Sequence, residues 1–439
     1  MGAESATRLA VVGAGWAGIA AAVEASTRGA QVTLYEMAHQ AGGRARSRLE
    51  ADGWRDNGQH ILIGAYTDTL ALMRRVGADA ERLLWRGPLA LRYPDGSGLQ
   101  LPPGAALSAF ARGVWAQRGW SRRERLALLA AAGSWLASGF EAGVDESTSV
   151  ARLCAGLPPR LRDELVDPLC VAALNTPAEA ASARVFLRVL RDALFSGRGS
   201  ADLLLPRAPL HELLPRPALH WLARRGAGLR LGQRVQTLAA AGGGRWQVDG
   251  EAFDAVVLAC PPGEAARLVQ ALAPDWAAGA ATLRHEPIVT AWLRDPQLRL
   301  PQPMLALRSG PAAPAQFLFD LGALGQAPGE FSAVLSGAAE ALRPGLPALG
   351  ATVLAQLRQA LPGAFAGPDH QVLLQLVAER RATFACTPGL RRPAAAIAPG
   401  LWAAGDHVAG PYPATLEGAV RSGLAAARAL VPQRPDSRT

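Results

Sequence analysis

A short apolar run, three spaced glycines, an Ala-rich stretch and a second run ending in an acid fill residues 8–36, and few folds accommodate that order. Arg8-Leu9-Ala10-Val11-Val12 reads as a buried strand and runs straight into Gly13-Ala14-Gly15-Trp16-Ala17-Gly18. A Pro-free stretch to Arg28 reads as a helix, and Gln31-Val32-Thr33-Leu34-Tyr35-Glu36 as a second strand. The spacing has physical reasons. Gly13 permits a tight turn, Gly15 lets backbone approach a pyrophosphate, and Gly18 lets helix and strand pack closely. The helix start then offers unpaired N–H groups and partial positive charge to phosphates. Glu36 stands where it can accept from ribose hydroxyls. The order predicts a Rossmann-type βαβ unit that binds a dinucleotide.

Composition narrows the rest. At 439 residues the chain has room for two or three domains. Half of its residues are apolar and only 18% are charged, which excludes a disordered chain. All 45 basic residues are Arg, only two Asn and five Ile occur, and the formal charge is +9. That pattern fits GC-rich codon bias, so the charge advertises nucleic acid only weakly. The Arg are scattered, with no basic arm and no aromatic-basic ladder, and nucleic acid is not an expected partner. An anionic surface is. Cys154, Cys170, Cys260 and Cys386 show no CxxC pairing, so neither a metal site nor a disulfide framework is expected, and a reducing compartment is. Residues 1–8 do not read as a signal peptide. The uncharged apolar stretch of residues 126–140, 15 residues long, is shorter than the roughly 18–20 residues of a membrane span. The expected location is the cytoplasm, with peripheral association at the inner face of the membrane.

Further elements point to FAD. Gly42-Gly43-Arg44 follows Glu36 by six residues and offers a second approach to the pyrophosphate, with Arg44 as counter-charge. Asp56-Asn57-Gly58-Gln59-His60 comes next. With these elements the chain resembles the amine-oxidase-like flavoproteins, which share the first glycine loop, the GG-R element and a D-x-G turn near the isoalloxazine. The carboxyl end completes the likeness with Gly405-Asp406 after a strand and a helix beginning near Thr415-Leu416. The resemblance implies noncovalent FAD held by Gly13, Gly15, Gly18, Glu36, Gly42, Gly43, Arg44, Gln59, Val235, Gly405, Asp406, Thr415 and Leu416. Asp406 would hold the ribityl-phosphate region, and the helix start would face the flavin pyrimidine. Val235, read as the end of a short strand, would return to the adenine side.

The fold class expected is α/β: a Rossmann-type FAD-binding domain with an interleaved α+β substrate domain. Residues 1–95, 215–289 and 386–439 would build the first; 96–214, mostly helical, and 290–385, a mixed sheet, the second. Within the helical part, Trp115–Phe140 carries Arg118, Arg122, Arg123 and Arg125 beside Trp115 and Trp120. This fits a helix dipping into a membrane interface; a core helix with a basic cap is the alternative.

Three blocks sharpen the resemblance: Asp56–His60 with Gly64-Ala65-Tyr66, Leu174-Asn175-Thr176-Pro177 with Ala181-Ser182-Ala183, and Asp202-Leu203-Leu204-Leu205-Pro206. They look like those of the hydroxysqualene dehydroxylases. That family implies an apolar C30 isoprenoid substrate whose allylic carbon receives hydride from reduced FAD as its hydroxyl leaves as water, in squalene and hopanoid biosynthesis. Leaving as water needs a proton, and the expected donors are His60 first, then Tyr66 and Tyr412. Asp56 would brace its turn. The electron donor is not legible, since only one nucleotide fingerprint occurs. Absence of any Lys disfavours amine oxidation of the kind that places a Lys near the flavin. A carotenoid-type desaturase and a non-enzymatic prenyl-lipid escort are the alternatives.

Overall fold

The computed structural model describes residues 6–50, 53–141 and 144–433; the polar amino terminus lies partly outside them. The dinucleotide unit forms as the sequence dictates: β1 (Arg8–Val12), α1 (Trp16–Thr27) and β2 (Gln31–Glu36). β1 is central in a six-stranded sheet. Its parallel neighbours are β2 on one side, followed by Gly228–Leu231, and Ala255–Leu258 on the other, followed by Leu401–Ala403. Ala396–Ala398 closes the edge antiparallel.

Strand periodicity accounts for the apolar runs. Leu9 and Val11 face one core with Val32, Leu34 and Val257, while Ala10 and Val12 face another with Tyr35, Val256 and Leu258. Both faces are covered, so neither alternates with polar residues. One cover is α1 with the carboxyl-terminal helix Leu416–Leu430; the other includes the three-stranded meander Leu238–Ala241, Arg245–Val248 and Glu251–Phe253.

A five-stranded antiparallel sheet forms the second body, in the order Met304–Ala306, Phe317–Asp320, Glu330–Leu335, His285–Arg294 and Leu373–Phe384. One face packs on the helix Leu346–Ala360 through Val289, Ala291, Phe331 and Ala333. The other presents Ile288, Met304, Phe317, Phe319 and Val334 towards the helices of residues 106–194.

Two sequence readings need correction. The strand expected to end at Val235 stops at Leu231; Val235 lies beyond it in a loop, buried. Nor is Trp115–Phe140 one helix. Ala106–Ala116 and Arg122–Ala137 are separate, divided by a turn and restarted by a capping box between Ser121 and Glu124. Trp120, in that turn, is 3% exposed, and its Nε1 donates to Glu164 Oε2 at 2.9 Å. A ring so placed cannot sit at a membrane boundary.

Candidate cofactor and substrate site

One cavity of about 1570 Å³ runs from the glycine loops to the second sheet. Of the FAD contacts expected from the sequence, all but Gly18 line it.

Gly18 acts from beneath. A Cβ there would lie 1.8 Å from Gly13 O, and Gly13 itself, at φ +108°, leaves only 2.6 Å between its own added Cβ and Ala259 O. These two glycines let α1 start directly against the sheet. Gly42 N donates to Ala14 O at 2.8 Å, and a Cβ on Gly43 would meet Gly15 Cα at 3.0 Å, so the two glycine loops are in contact. No side chain caps α1 at Gly15, which leaves its first amides for phosphate oxygens. Glu36 accepts from Ala14 N at 2.8 Å and Ala38 N at 2.9 Å, one bond per carboxylate oxygen. Each oxygen keeps acceptor capacity for a ribose hydroxyl.

Arg44 is engaged differently from the expected pyrophosphate counter-charge. Its Nη2 meets Asp406 Oδ1 at 2.5 Å and its Nη1 donates to Ala382 O at 2.6 Å. Burial disfavours the Asp406 carboxylate, but the Arg44 guanidinium outweighs it and holds the carboxyl below its usual range. The pair joins the GG-R loop to the Gly405-Asp406 end of the chain. Beside it His407 is 4% exposed, lines the cavity, and has no protein partner at Nε2. A cradle that Cβ atoms would fill, uncapped helix amides and an unpartnered buried nitrogen all fit a polar cofactor with phosphates. Burial pushes the Cys260 thiol, also on the wall, up to about 12; such a protonated thiol is a poor group for covalent attachment.

At the other end of the sequence fingerprint, Thr415 caps the helix Leu416–Leu430 by accepting from Gly418 N at 3.0 Å. Glu417, which sequence reasoning missed, is buried in its first turn. It accepts from the backbone N–H groups of Asp68 and Thr69, from Thr69 Oγ1, and from Arg421 Nε at 2.8 Å. The Glu417–Arg421 spacing of four was the available signal.

The chamber beyond is apolar: Ile61, Leu91, Phe186, Leu190, Phe317 and Phe319 are among its walls. Polar side chains interrupt these walls, among them His60, Tyr66, Arg188, Asp192 and Tyr412. His60 Nδ1 lies 2.8 Å from Gly58 O, so that nitrogen carries the proton and Nε2 is the acceptor. Burial, with Arg44 nearby, pushes the His60 pKa down. The resting imidazole is neutral, which counts against His60 as the resident acid. Tyr412 accepts from Arg421 Nη1 at 2.7 Å, and the Arg188 and Arg421 guanidiniums lie 5.2 and 4.8 Å from its ring centroid. Burial pushes the Tyr66 hydroxyl upward, so it keeps its proton. Asp56 Oδ1 accepts from Ser47 Oγ and Leu210 N, bracing the turn.

The two Asn have structural work. Asn57 Nδ2 donates to Glu379 Oε2 at 3.0 Å, holding a wall carboxylate that sequence reasoning missed. Asn175 sits at φ +48° at the end of the helix Asp167–Leu174 and bonds Thr383 Oγ1, Glu286 O and Gly337 N. Left-handed backbone with an amide side chain suits Asn.

Residues 16–431 match the family model described as flavin containing amine oxidoreductase. A hydroxysqualene dehydroxylase of Rhodopseudomonas palustris is 30% identical over 441 residues, covering 95% of this chain and 96% of the relative. One of Sinorhizobium fredii is 30% identical over 444 residues, with 95% and 96% covered. Among solved structures, an oxidoreductase of Methanosarcina mazei superposes with a TM-score of 0.71, covering 95% of this chain and 99% of that one. At 16% identity it speaks for the fold alone.

Proposed function

The chain belongs to the flavin containing amine oxidoreductase family and is an FAD-carrying oxidoreductase, and from that premise we propose that it converts hydroxysqualene to squalene. The observation that supports this reading is the continuity of one cavity from the phosphate cradle into an apolar chamber, in a chain alignable end to end with hydroxysqualene dehydroxylases. Reduced FAD supplies the hydride when bound. The chain's own residues then have three tasks. Gly13, Gly15, Glu36 and the Gly42-Gly43 loop hold the cofactor. The aromatic and aliphatic walls hold the chain of the isoprenoid and exclude water, which strengthens polar interactions at the reacting carbon.

The third task is proton delivery: the C–O bond breaks as the C–H bond forms, and the oxygen leaves as water only if protonated. Neutral His60 offers an acceptor at Nε2, and the Tyr412 oxygen is engaged by Arg421. The Tyr66 hydroxyl retains its proton at neutral pH and borders the cavity beside Thr415 and Glu417. We assign it the proton passed to the departing hydroxyl, regained from solvent before the next turnover, with His60 positioning the substrate oxygen.

The test is anaerobic single turnover of chemically prereduced enzyme. With hydroxysqualene, the flavin should reoxidise and squalene should form in equal amount. Oxidised enzyme given phytoene should show no flavin reduction. Squalene absent in the first arm overturns the assignment, and flavin reduction in the second favours a desaturase.

A further inference from the structure

A helix packed on a protein along one side ordinarily carries its charges on the other. Arg122–Ala137 departs from that rule. Among its residues only Leu128 and Ala132 are buried, yet no charged residue occurs between Arg125 and Glu141. From Leu126 onwards its outward face is therefore uncharged, with Leu126 at 57% and Leu136 at 40% exposure and Ala130, Gly133 and Ala137 exposed among them. The preceding helix, Ala106–Ala116, adds Leu107 and Trp115, two turns apart on one face and exposed at 54% and 52%. The segment between these apolar stretches is basic. Arg112, Arg118, Arg122 and Arg123 are exposed, and Arg125 lies over the Trp115 ring at 5.9 Å. Against five Arg over residues 112–125 stands a single acid, Glu124, tied into the capping box.

This surface adjoins the cavity. Phe195 packs on Phe110 from the first helix at 5.7 Å and on Phe140, just past the second, at 5.2 Å. The next three residues, Ser196, Gly197 and Arg198, are exposed and also line the cavity, so they form part of its rim.

We propose that the exposed faces of Ala106–Ala116 and Arg122–Ala137 dock on an anionic lipid bilayer, setting the Ser196–Arg198 rim at the membrane surface. Exposed Leu and Trp side chains enter the acyl boundary, and the Arg heads meet lipid phosphates. Charge decides between occupants. A second copy would bring the same five Arg against themselves across a two-fold axis, whereas anionic headgroups match them. Among the described residues no helix is long and apolar enough to cross a membrane, so the contact is superficial and reversible. The docking rests on this face and not on the identity of the isoprenoid.

The experiment uses the full-length FAD-loaded protein and vesicles without substrate, so that an error in the proposed reaction leaves the result standing. Vesicles of equal parts phosphatidylglycerol and phosphatidylcholine should co-sediment with the protein, vesicles of phosphatidylcholine alone much less. Raising salt to 1 M, where the Debye length is ~3 Å, should release it. A Trp115→Glu/Leu126→Glu variant should partition roughly tenfold less or weaker still, because both side chains leave water on docking. Leu231→Glu, at an exposed position of the main sheet, should bind as wild type. If the double variant misfolds, Arg122→Gln/Arg123→Gln supplies the second arm and should lose the preference for phosphatidylglycerol. Undiminished binding by either folded variant overturns the proposal. So does a wild-type protein that ignores both vesicles, including one that sediments as a dimer split by Trp115→Glu/Leu126→Glu, which would make this face a seam between copies.

Discussion

Glu36 and the pair Tyr66 and His60 show how a residue's role depends on partners the sequence does not display. Glu36 faces a double demand, since its oxygens already hold the amides of Ala14 and Ala38. Glu36→Ala should weaken FAD binding by ~1–3 kcal/mol, the usual cost of losing a charged acceptor. Fluorescence titration of the apoprotein measures this, and an unchanged Kd would place the ribose elsewhere. For proton delivery, Tyr66→Phe should slow single-turnover flavin reoxidation by ~10²-fold or more while FAD stays bound. The pH profile separates the two donors. His60 has a lowered pKa in the fold, so its charged form appears only below the ordinary value of 6.5. An acid with that behaviour would make the rate climb roughly tenfold per unit as pH falls from 8 to 6. Tyr66 stays protonated over that window, and its participation predicts a flat profile.

At the scale of elements, the contact between α1 and the carboxyl-terminal helix Leu416–Leu430 joins the two chain ends that build the cofactor site. It depends on Gly423, where a Cβ would lie 2.0 Å from Ala17 O and 3.0 Å from Ala20 Cβ. The obstacle is backbone and cannot rotate away. Gly423→Ala should destabilise the fold by ~1–3 kcal/mol and loosen FAD. Gly133→Ala is the counterpart: it lies in the helix Arg122–Ala137 with nothing within 4 Å of an added Cβ, so stability should rise by ~0.5–1 kcal/mol. Denaturant midpoints compare the two. A neutral Gly423→Ala would mean that the helices can separate without consequence. The small residues around Gly418 and Gly423 were legible in the sequence as a close-approach face. Which helix approaches was not, because α1 and Gly423 are some 400 positions apart and only the folded sheet brings them together.

For the whole molecule, Asp56 links pH to stability. Its carboxyl is pushed from 3.8 up to about 6 by burial, which the bonds from Ser47 and Leu210 only partly offset. A carboxyl with a raised folded pKa favours folding in its neutral form. Its contribution is therefore complete below about pH 4 and lost as pH rises through about 6. Asp56→Asn keeps an Oδ1 acceptor for Ser47 Oγ and Leu210 N while removing the charge. The variant should match wild type at pH 4 and be more stable at pH 7.5, by up to about 3 kcal/mol for a shift of about two units. Thermal melts at the two pH values check this; equal stability at pH 7.5 would show that the Asp56 carboxylate is not held in a desolvated site.

What the sequence determined by itself was local or periodic. The order of strand, glycine turn, helix and acid imposes the βαβ unit, because only that backbone path uses Gly13 and Gly18 without collision. The apolar runs at Leu9–Val12 and Val256–Leu258 require strands covered on both faces, and family motifs at the two chain ends announced a shared FAD site. The tertiary structure decided what depends on distant partners. It paired Arg44 with Asp406 across 362 positions, buried Trp120 against Glu164, ended the Gly228–Leu231 strand short of Val235, and fixed the neutral tautomer of His60 through Gly58 O. Charge state and burial are set by whatever surrounds a side chain, and chain order fixes those surroundings only through the completed fold.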